Sequence, residues 1–371
     1  MAIRMAVIGA GRIGQIHASN AARNPGVTLA GIADAIPEAA QKLASDLAAS
    51  VVTVESIFAD PAIDAVLIGS STDTHADLIQ RSAKAGKHIF CEKPVDLDLK
   101  RARECEEIVK ASGKACLIGF QRRFDPTFAA LKARIEAGEI GDIVHFRATH
   151  NEDYLMDPAA GGGWRLKEQF ASKAGALGDL ASHIINLAHY LCGPITEVVG
   201  ESQIVHARRP GDSGALEDVE NDDQTNFLVK FKSGVLGSFE ASRVATGRKM
   251  GLTYEVIGTK GSLYFDQEHL AELLYYNAAD PAGRRGYRTL LIGPDHPDYG
   301  NFCIGAGHGF GYNDMITVEM KDLIEGIAAD QPLWPSFRDA MHTALVVDSV
   351  LLSQKERRWV AIEELEKGLQ K

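Results

Sequence analysis

The stretch AVIGAGRIG (residues 6–14) joins an apolar strand to the start of a helix, and it contains the pattern GxGxxG. In this pattern Gly9 makes a tight turn, Gly11 lets the backbone approach a pyrophosphate, and Gly14 lets the helix and strand pack closely. The helix start offers N–H donors and positive potential to phosphates. Asp34 follows at the end of the next predicted strand, 20 residues after Gly14. The stretch therefore predicts a dinucleotide-binding unit; the alternative is a glycine turn that binds nothing.

Strand and helix patterns alternate from the first residues to about residue 120. The predicted strands are apolar throughout rather than alternating, which is typical of a parallel sheet covered on both faces. We therefore predict an α/β protein whose N-terminal part is a Rossmann domain with a doubly wound parallel sheet.

The cofactor preference follows from Asp34. Its carboxylate would accept hydrogen bonds from the adenosine ribose and repel a 2′-phosphate, and the following Ala35, Ile36 and Pro37 supply no arginine. NAD is therefore predicted over NADP. The candidate cofactor-binding residues are Gly9, Gly11, Arg12, Ile13, Gly14, Asp34, Ser70, Ser71, Thr72, His75, Glu92, Lys93 and Arg122.

The stretch CEKP (residues 91–94) ends a predicted strand with a glutamate, a lysine and a proline. Lys93 is either a solvated strand end or a charge held over a site. Because the carboxyl ends of parallel strands form the ligand-binding edge of such a sheet, we favour the site.

The segment 178–191 is predicted to be helical, with Asp179, His183 and Asn186 on one face. Asp179 could simply cap the helix and His183 be an ordinary polar residue. A metal site is a third interpretation, but no third ligand has suitable spacing, and Lys93 would be repelled by a cation. We therefore expect no metal and favour catalysis. The opposite, apolar face consists of Leu180, Ile184, Leu187 and Leu191.

Between Asn226 and Tyr276 the sequence alternates polar and apolar residues and has glycine-containing turns, which predicts antiparallel hairpins with one face open to an interface. A glycine- and aromatic-rich loop follows at 295–311. Its His308 and the adjacent Tyr312 could line a substrate pocket or a subunit contact, and the sequence does not choose between these.

Composition limits the function classes. The 371 residues favour two domains. A net charge of −11 argues against nucleic acid or anionic membrane as the main partner. The longest apolar runs are far shorter than a membrane span, and Ile3–Ile8 already reads as a strand rather than a signal peptide. Five scattered cysteines without CxxC spacing predict a reduced, cytoplasmic protein.

Four motifs occur in the order expected for one family: GAGRIG, GKHIFCEKP, GFQRRFDP and GALGDLASHIINLAHYL. With them the sequence resembles the Gfo/Idh/MocA oxidoreductases, in particular the inositol dehydrogenase and L-glucose (scyllo-inositol) dehydrogenase-like branch. The resemblance implies a second α/β domain with an open, mostly antiparallel sheet that forms dimers or tetramers. It also implies that Lys93, Asp179 and His183 surround a reacting alcohol.

From these observations we predict an NAD-dependent dehydrogenase that oxidises a secondary hydroxyl of a cyclic polyol or sugar, such as scyllo- or myo-inositol or L-glucose. His183 would be the base, Asp179 would orient it or hold the substrate, and Lys93 would bond the reacting oxygen. The alternatives are an anhydrosugar (levoglucosan-type) or NADP-linked enzyme of the same superfamily, and a non-catalytic NAD-binding sensor. Further substrate-contact candidates are Arg122, Asn151, Asp153, Trp164, Arg165 and His308.

The predicted domains are residues 1–123 for NAD, 124–335 for substrate binding and oligomerisation, and 336–371 as a C-terminal helix that returns to the first domain. The predicted assembly is a homo-oligomer, with a tetramer favoured by the resemblance.

Overall fold

The computed structural model describes residues 2–161, 163–168, 173–211 and 213–369. The described residues form ten α-helices, numbered α1 to α10 in chain order. They are α1 (Arg12–Arg23), α2 (Pro37–Asp46), α3 (Val54–Ala59), α4 (Thr72–Lys84), α5 (Leu99–Ser112), α6 (Pro126–Glu136), α7 (Ser182–Cys192), α8 (Tyr312–Ala329), α9 (Phe337–Glu356) and α10 (Ile362–Gly368).

The chain divides into two compact units, each made of two segments. The first unit ends its N-terminal segment at Phe124 and adds Tyr312–Met341, and the second comprises Asp125–Gly311 and His342–Lys371. This division differs from the predicted domains in its C-terminal part. Helix α8 belongs with the first unit because its buried residues pack against α1 and the 3₁₀ turn Gln121–Phe124. Most of α9 groups with the second unit.

The first unit contains a five-stranded parallel sheet in the order β2-β1-β3-β4-β5. Strands β3 and β5 are buried along their whole length, as predicted for a sheet covered on both faces. The order reverses between β1 and β3, so the carboxyl ends of these two strands border the crevice where such sheets bind ligands. The predicted Rossmann fold is confirmed. The strands are β1 (Ile3–Ile8), β2 (Val27–Ala33), β3 (Ala65–Ile68), β4 (His88–Glu92) and β5 (Cys116–Gly119).

The second unit contains a nine-stranded sheet in the order β15-β14-β13-β12-β6-β11-β10-β7-β16. Strands β6 and β11 run parallel and the other neighbours run antiparallel, so the mostly antiparallel sheet is confirmed. A separate hairpin pairs β8 with β9. The strands are β6 (Ile143–Asn151), β7 (Ile195–Gln203), β8 (Arg208–Pro210), β9 (Leu216–Asp218), β10 (Gln224–Phe231), β11 (Leu236–Ser242), β12 (Gly251–Gly258), β13 (Gly261–Asp266), β14 (Glu272–Asn277), β15 (Arg288–Leu291) and β16 (Val360–Ala361).

One face of this sheet carries the core of the second unit. In β10 every second residue is buried, including Phe227, while Leu228 on the other face is 50% exposed. Phe227 stacks on Phe239 of β11, with ring centroids 4.8 Å apart. The π-helical turn Leu177–Ala181 and the helix α7 supply the opposite wall of the core through the predicted apolar face of Leu180, Ile184, Leu187 and Leu191, all of which are buried.

Two further observations bear on the predictions. The segment 178–191 is helical throughout, as predicted, but its first part is not α-helical: Leu177–Ala181 form a π-helical turn, and α7 follows directly from Ser182. Among the helices of the described residues, none is long and apolar enough to cross a membrane.

Candidate active site

The glycine turn after β1 is shaped by contacts that only glycine permits. Gly9 has φ +106°, and a Cβ added there would lie 2.5 Å from the Gly69 carbonyl carbon. A Cβ on Gly14 would lie 2.0 Å from the Gly9 oxygen. At Gly11, in contrast, an added Cβ would meet no atom within 4 Å. The first and last glycines therefore fix the turn, and the middle one leaves open space for a phosphate to approach.

Two helix N-termini open at this edge of the sheet. Helix α1 follows Gly11, which has no side chain to cap it, and α4 follows Ser71, whose side chain makes no capping hydrogen bond. Helix α5, away from this turn, is capped in the usual way by Asp98, which accepts the N–H groups of Lys100 and Arg101. The N–H groups at the start of α1 and α4 are thus left for an anion, as a dinucleotide pyrophosphate requires.

Asp34 ties the end of β2 to the glycine turn. Its Oδ2 accepts the N–H of Ala10 at 2.5 Å, and its Oδ1 accepts the N–H of Ile36 at 2.7 Å. The side chain is half-buried, and each carboxylate oxygen can accept a further bond. The geometry fits the ribose hydroxyls of NAD beside the open space at Gly11.

The predicted contacts after β3 behave differently from one another. Ser71 is exposed, and the Ser70 and Thr74 hydroxyls lie 2.7 Å apart. His75 is buried, with Nδ1 2.8 Å from the Pro94 carbonyl oxygen and Nε2 3.1 Å from that of Ser70. The imidazole therefore links the loop after β3 to the loop after β4. A cofactor contact for Ser70, Ser71, Thr72 and His75 stays a prediction.

Lys93 follows directly after β4, at the carboxyl edge of the parallel sheet, and it is half-buried. Its backbone N–H donates to Glu92 Oε2 at 3.1 Å. Glu92 is buried, and its other oxygen lies 2.6 Å from His17 Nε2 of α1. The peptide bond from Lys93 to Pro94 is cis. The buried carboxylate of Glu92 thus holds the backbone of Lys93 in place. An ordinary solvated strand end would not need such a contact.

Arg122 lies in the 3₁₀ turn Gln121–Phe124 of the first unit and is buried. Its guanidinium carbon sits 5.1 Å from the centre of the Tyr312 ring, a cation–π contact. The Tyr312 hydroxyl accepts a hydrogen bond from Gln121 Nε2 at 3.0 Å. Burial raises the pKa of Tyr312, so the hydroxyl keeps its proton at neutral pH. The sequence analysis left Tyr312 between a pocket and a subunit contact; here it packs on Arg122 within the first unit.

In the second unit Asp179 lies on the π-helical turn and His183 on the first turn of α7. Single π turns within helices often mark functional sites because they displace one residue from the regular spacing. The start of this turn is held by Asp222, which accepts the N–H of Gly175 at 2.6 Å and that of Leu177 at 3.0 Å. Burial raises the pKa of Asp222. Sequence analysis missed Asp222, since nothing local links it to a helix that starts more than forty residues earlier.

His183 is buried and has a second histidine beside it. The ring of His150, at the end of β6, lies 5.7 Å from that of His183 between centroids. His150 Nδ1 is 2.9 Å from the Leu180 carbonyl oxygen, and its Nε2 is 3.3 Å from Glu152 Oε1. His150 was also missed, although the alternation of β6 places it on the inward face.

Arg165 is brought near Asp179: its Nε lies 4.0 Å from Asp179 Oδ2, and both side chains are 44% exposed. An exposed ion pair at this distance contributes little to the free energy of unfolding. Because both side chains are exposed, both are accessible to a polar ligand. Burial raises the pKa of Tyr154, and the Asp179 charge adds to this shift.

Two of the other predicted substrate contacts of the second unit are engaged with their own neighbours. Asn151 Nδ2 donates to Glu240 Oε1 at 2.7 Å. Asp153 accepts a hydrogen bond from Lys249 Nζ at 2.8 Å, and this interaction lowers the pKa of Asp153. His308 is exposed in the loop before α8. The side chain of Trp164 lies outside the part of the chain that the structure describes.

The arrangement in the two units defines an NAD-binding oxidoreductase. Residues 3–120 match the family described as an oxidoreductase family with an NAD-binding Rossmann fold, and residues 128–264 match the GFO/IDH/MocA C-terminal domain. The chain belongs to this family, as its motifs predicted.

Three similar proteins illustrate the relationship. The levoglucosan dehydrogenase of Pseudarthrobacter phenanthrenivorans is 34% identical, covering 90% of this chain and 89% of its own. The inositol 2-dehydrogenase of Rhizobium meliloti is 31% identical, covering 98% of this chain and 100% of its own. A solved structure of a levoglucosan dehydrogenase in complex with NADH and levoglucosan has a TM-score of 0.93 at 33% identity, covering 98% of this chain and 100% of that one.

Proposed function

We propose that this protein oxidises a secondary hydroxyl group of a cyclic polyol or sugar, with an inositol or a pyranose as the substrate class. Inositol and levoglucosan dehydrogenases are among its relatives, which supports this class. The observation that carries the proposal is that Asp179 lies on a π turn and His183 on the helix that follows it, together with a lysine whose backbone is fixed at the carboxyl edge of the Rossmann sheet.

The roles follow from the chemistry of the groups. Gly9, Gly11, Gly14 and Asp34 would hold NAD, which would supply the acceptor for the hydride of the carbinol carbon. His183 accepts the hydroxyl proton, since an imidazole has the appropriate unperturbed pKa for a base near neutrality. The Lys93 ammonium donates to the same oxygen and stabilises its developing negative charge. Asp179 orients His183 or bonds a neighbouring hydroxyl group. The further substrate contacts that we propose are the side chains of Arg122, Asn151, Asp153, Trp164, Arg165 and His308.

The second candidate substrate is an anhydrosugar. It is favoured by the levoglucosan dehydrogenase that is 34% identical over 90% of this chain. Steady-state rates of NADH formation across inositols, aldoses including L-glucose, and levoglucosan would separate the candidates. If none of these compounds led to NADH formation, the proposed substrate class would be contradicted.

We further propose that the protein is a cytoplasmic homotetramer that assembles through the outer face of the nine-stranded sheet. On that face Leu228 and Leu236 are about half exposed. Nearby on the same face, Arg147 and Glu255 form an ion pair at 2.6 Å. Aliphatic residues beside charges of both signs suit a self-complementary interface. All five cysteines are free thiols, which supports a reducing compartment.

A further inference from the structure

Three titratable residues are buried together in the first unit, and the proposed chemistry at the alcohol uses none of them. They are His17 of α1, Glu92 of β4 and Glu319 of α8, with 0%, 6% and 0% exposure. Burying such groups is costly unless they are paired or neutral. Glu92 contacts the backbone of Lys93, so a role in holding Lys93 would account for the burial of the three residues.

His17 and Glu92 form a continuous link to Lys93. His17 Nε2 lies 2.6 Å from Glu92 Oε1, and Glu92 Oε2 accepts the backbone N–H of Lys93 at 3.1 Å. The His17 ring also packs on Phe90 of the same strand, with centroids 4.6 Å apart. Helix α1, which opens the NAD site, is therefore joined to the amide of Lys93 through a single carboxylate.

Glu319 completes the group from the other side of His17. Its Oε2 is 3.8 Å from His17 Nδ1, which is longer than a hydrogen bond. Within the described residues neither oxygen of Glu319 has a hydrogen-bond partner. Burial raises the pKa of Glu319 well above its usual value, and the charges of Glu92 and Asp322 raise it further. The Glu319 side chain therefore holds its proton more strongly than an exposed glutamate does.

We propose that His17 and Glu319 are positioning residues for Lys93. His17 holds the Glu92 carboxylate against the Lys93 backbone amide, and Glu319 lies on the other side of the His17 ring. This arrangement fixes the point from which the lysine side chain reaches the reacting oxygen. The inference rests on the proposed role of Lys93 in the reaction.

The arrangement works only while Glu319 keeps its proton. When Glu319 ionises, two buried carboxylates face one imidazole, and their repulsion weakens the contact between Glu92 and the Lys93 amide. Activity should then fall at alkaline pH through a group that never touches substrate or cofactor. The titratable and charged groups around Glu319 are His17 from α1, Glu92 from β4, Tyr312 and Asp322 from its own helix, and Arg122 beside Tyr312.

Glu319→Gln tests whether the protonation state of Glu319 matters. The glutamine amide is neutral at every pH and has nearly the same shape as the glutamate carboxyl group. The measurement is the pH profile of kcat with a substrate turned over by the wild type. The expected result is a kcat within about twofold of wild type near neutrality, and an alkaline decline that moves to higher pH. A profile that superimposes on that of the wild type over the whole range would overturn the role of Glu319.

His17→Gln tests the link to Glu92. We expect kcat to fall roughly 10- to 100-fold, since small misplacements of a reacting group cost on this scale, while the Kd for NADH from a fluorescence titration stays nearly unchanged. The matched control is His88→Gln, at the opposite end of β4, where the ring accepts the N–H of Ala115. Equal kcat losses in the two variants would overturn the inference.

Lys93→Ala separates this inference from the proposed function. A near-normal kcat in Lys93→Ala contradicts the proposed function itself. A large loss in Lys93→Ala beside unchanged kcat in His17→Gln overturns only the positioning role. If His17→Gln does not fold, the pH profile of Glu319→Gln decides alone.

Discussion

Removing the Asp222 carboxylate should release the turn that carries Asp179. In Asp222→Ala the buried N–H groups of Gly175 and Leu177, and the Thr225 hydroxyl, all lose their acceptor. Each buried donor left unsatisfied costs about 1–3 kcal/mol, so the free energy of unfolding should fall by about 2–5 kcal/mol after partial relaxation. Asp222→Asn keeps one acceptor oxygen and should lose about half as much.

The pH dependence adds a second test of the same carboxylate. Its pKa is raised in the folded state, so its stabilising contribution is complete below the unfolded value near 3.8 and declines as the pH rises through the folded value. Asp222→Asn has no such decline. The stability difference between wild type and Asp222→Asn should therefore be largest at acidic pH and narrow toward neutrality.

Urea denaturation measures the free energies, and steady-state kinetics measures the effect on the site. We expect kcat/KM of Asp222→Asn to fall roughly 10- to 100-fold, because Asp179 and His183 lose their fixed geometry. Thr225→Val is the control: it removes the hydroxyl donor to Asp222 and the contact with the Ser202 hydroxyl but leaves the carboxylate in place, and it should keep most of the activity. If Asp222→Ala unfolds at the same urea concentration as the wild type, Asp222 does not anchor the turn.

Three further outcomes are expected. Lys93→Ala should lower kcat by on the order of 10²- to 10³-fold, as for the loss of a transition-state donor, with NADH affinity nearly unchanged; a kcat close to wild type would return Lys93 to a strand end. Asp34→Ser combined with Ala35→Arg should weaken or reverse the preference for NAD, measured as the ratio of kcat/KM for NAD and NADP; a wild type that already prefers NADP would contradict the reasoning. Leu228→Glu should reduce the molar mass measured by light scattering at micromolar concentration, and a wild type that is monomeric there would refute the proposed interface.

Sequence patterns predicted the features that depend on local spacing. The glycine turn, Asp34 after β2 and the apolar face of α7 each follow from residues close together in the chain, where the period of a helix or strand determines which side is buried. The alternation over 226–276 likewise predicted the hairpins of the second unit. These features lie in the structure as predicted.

Features built by distant residues could not be predicted in this way. The π turn at Leu177–Ala181 and its anchor Asp222 come from separate parts of the chain, and a helical period of 3.6 residues does not reveal an inserted residue. His17 was not singled out from the sequence, because Glu319, which lies beside it in the structure, is near the other end of the chain. His150 could have been recognised from strand alternation, which places it on the buried face of β6.

The composition of the first unit from two distant segments has a consequence for synthesis. Domains usually fold as units in the order in which they leave the ribosome. Here residues up to 124 emerge long before α8, so the face of α1 that buries His17 has no cover until Tyr312–Met341 is made. The NAD-binding unit is therefore finished late, after nearly the whole of the second unit has been translated. A chain truncated before residue 312 leaves it permanently incomplete.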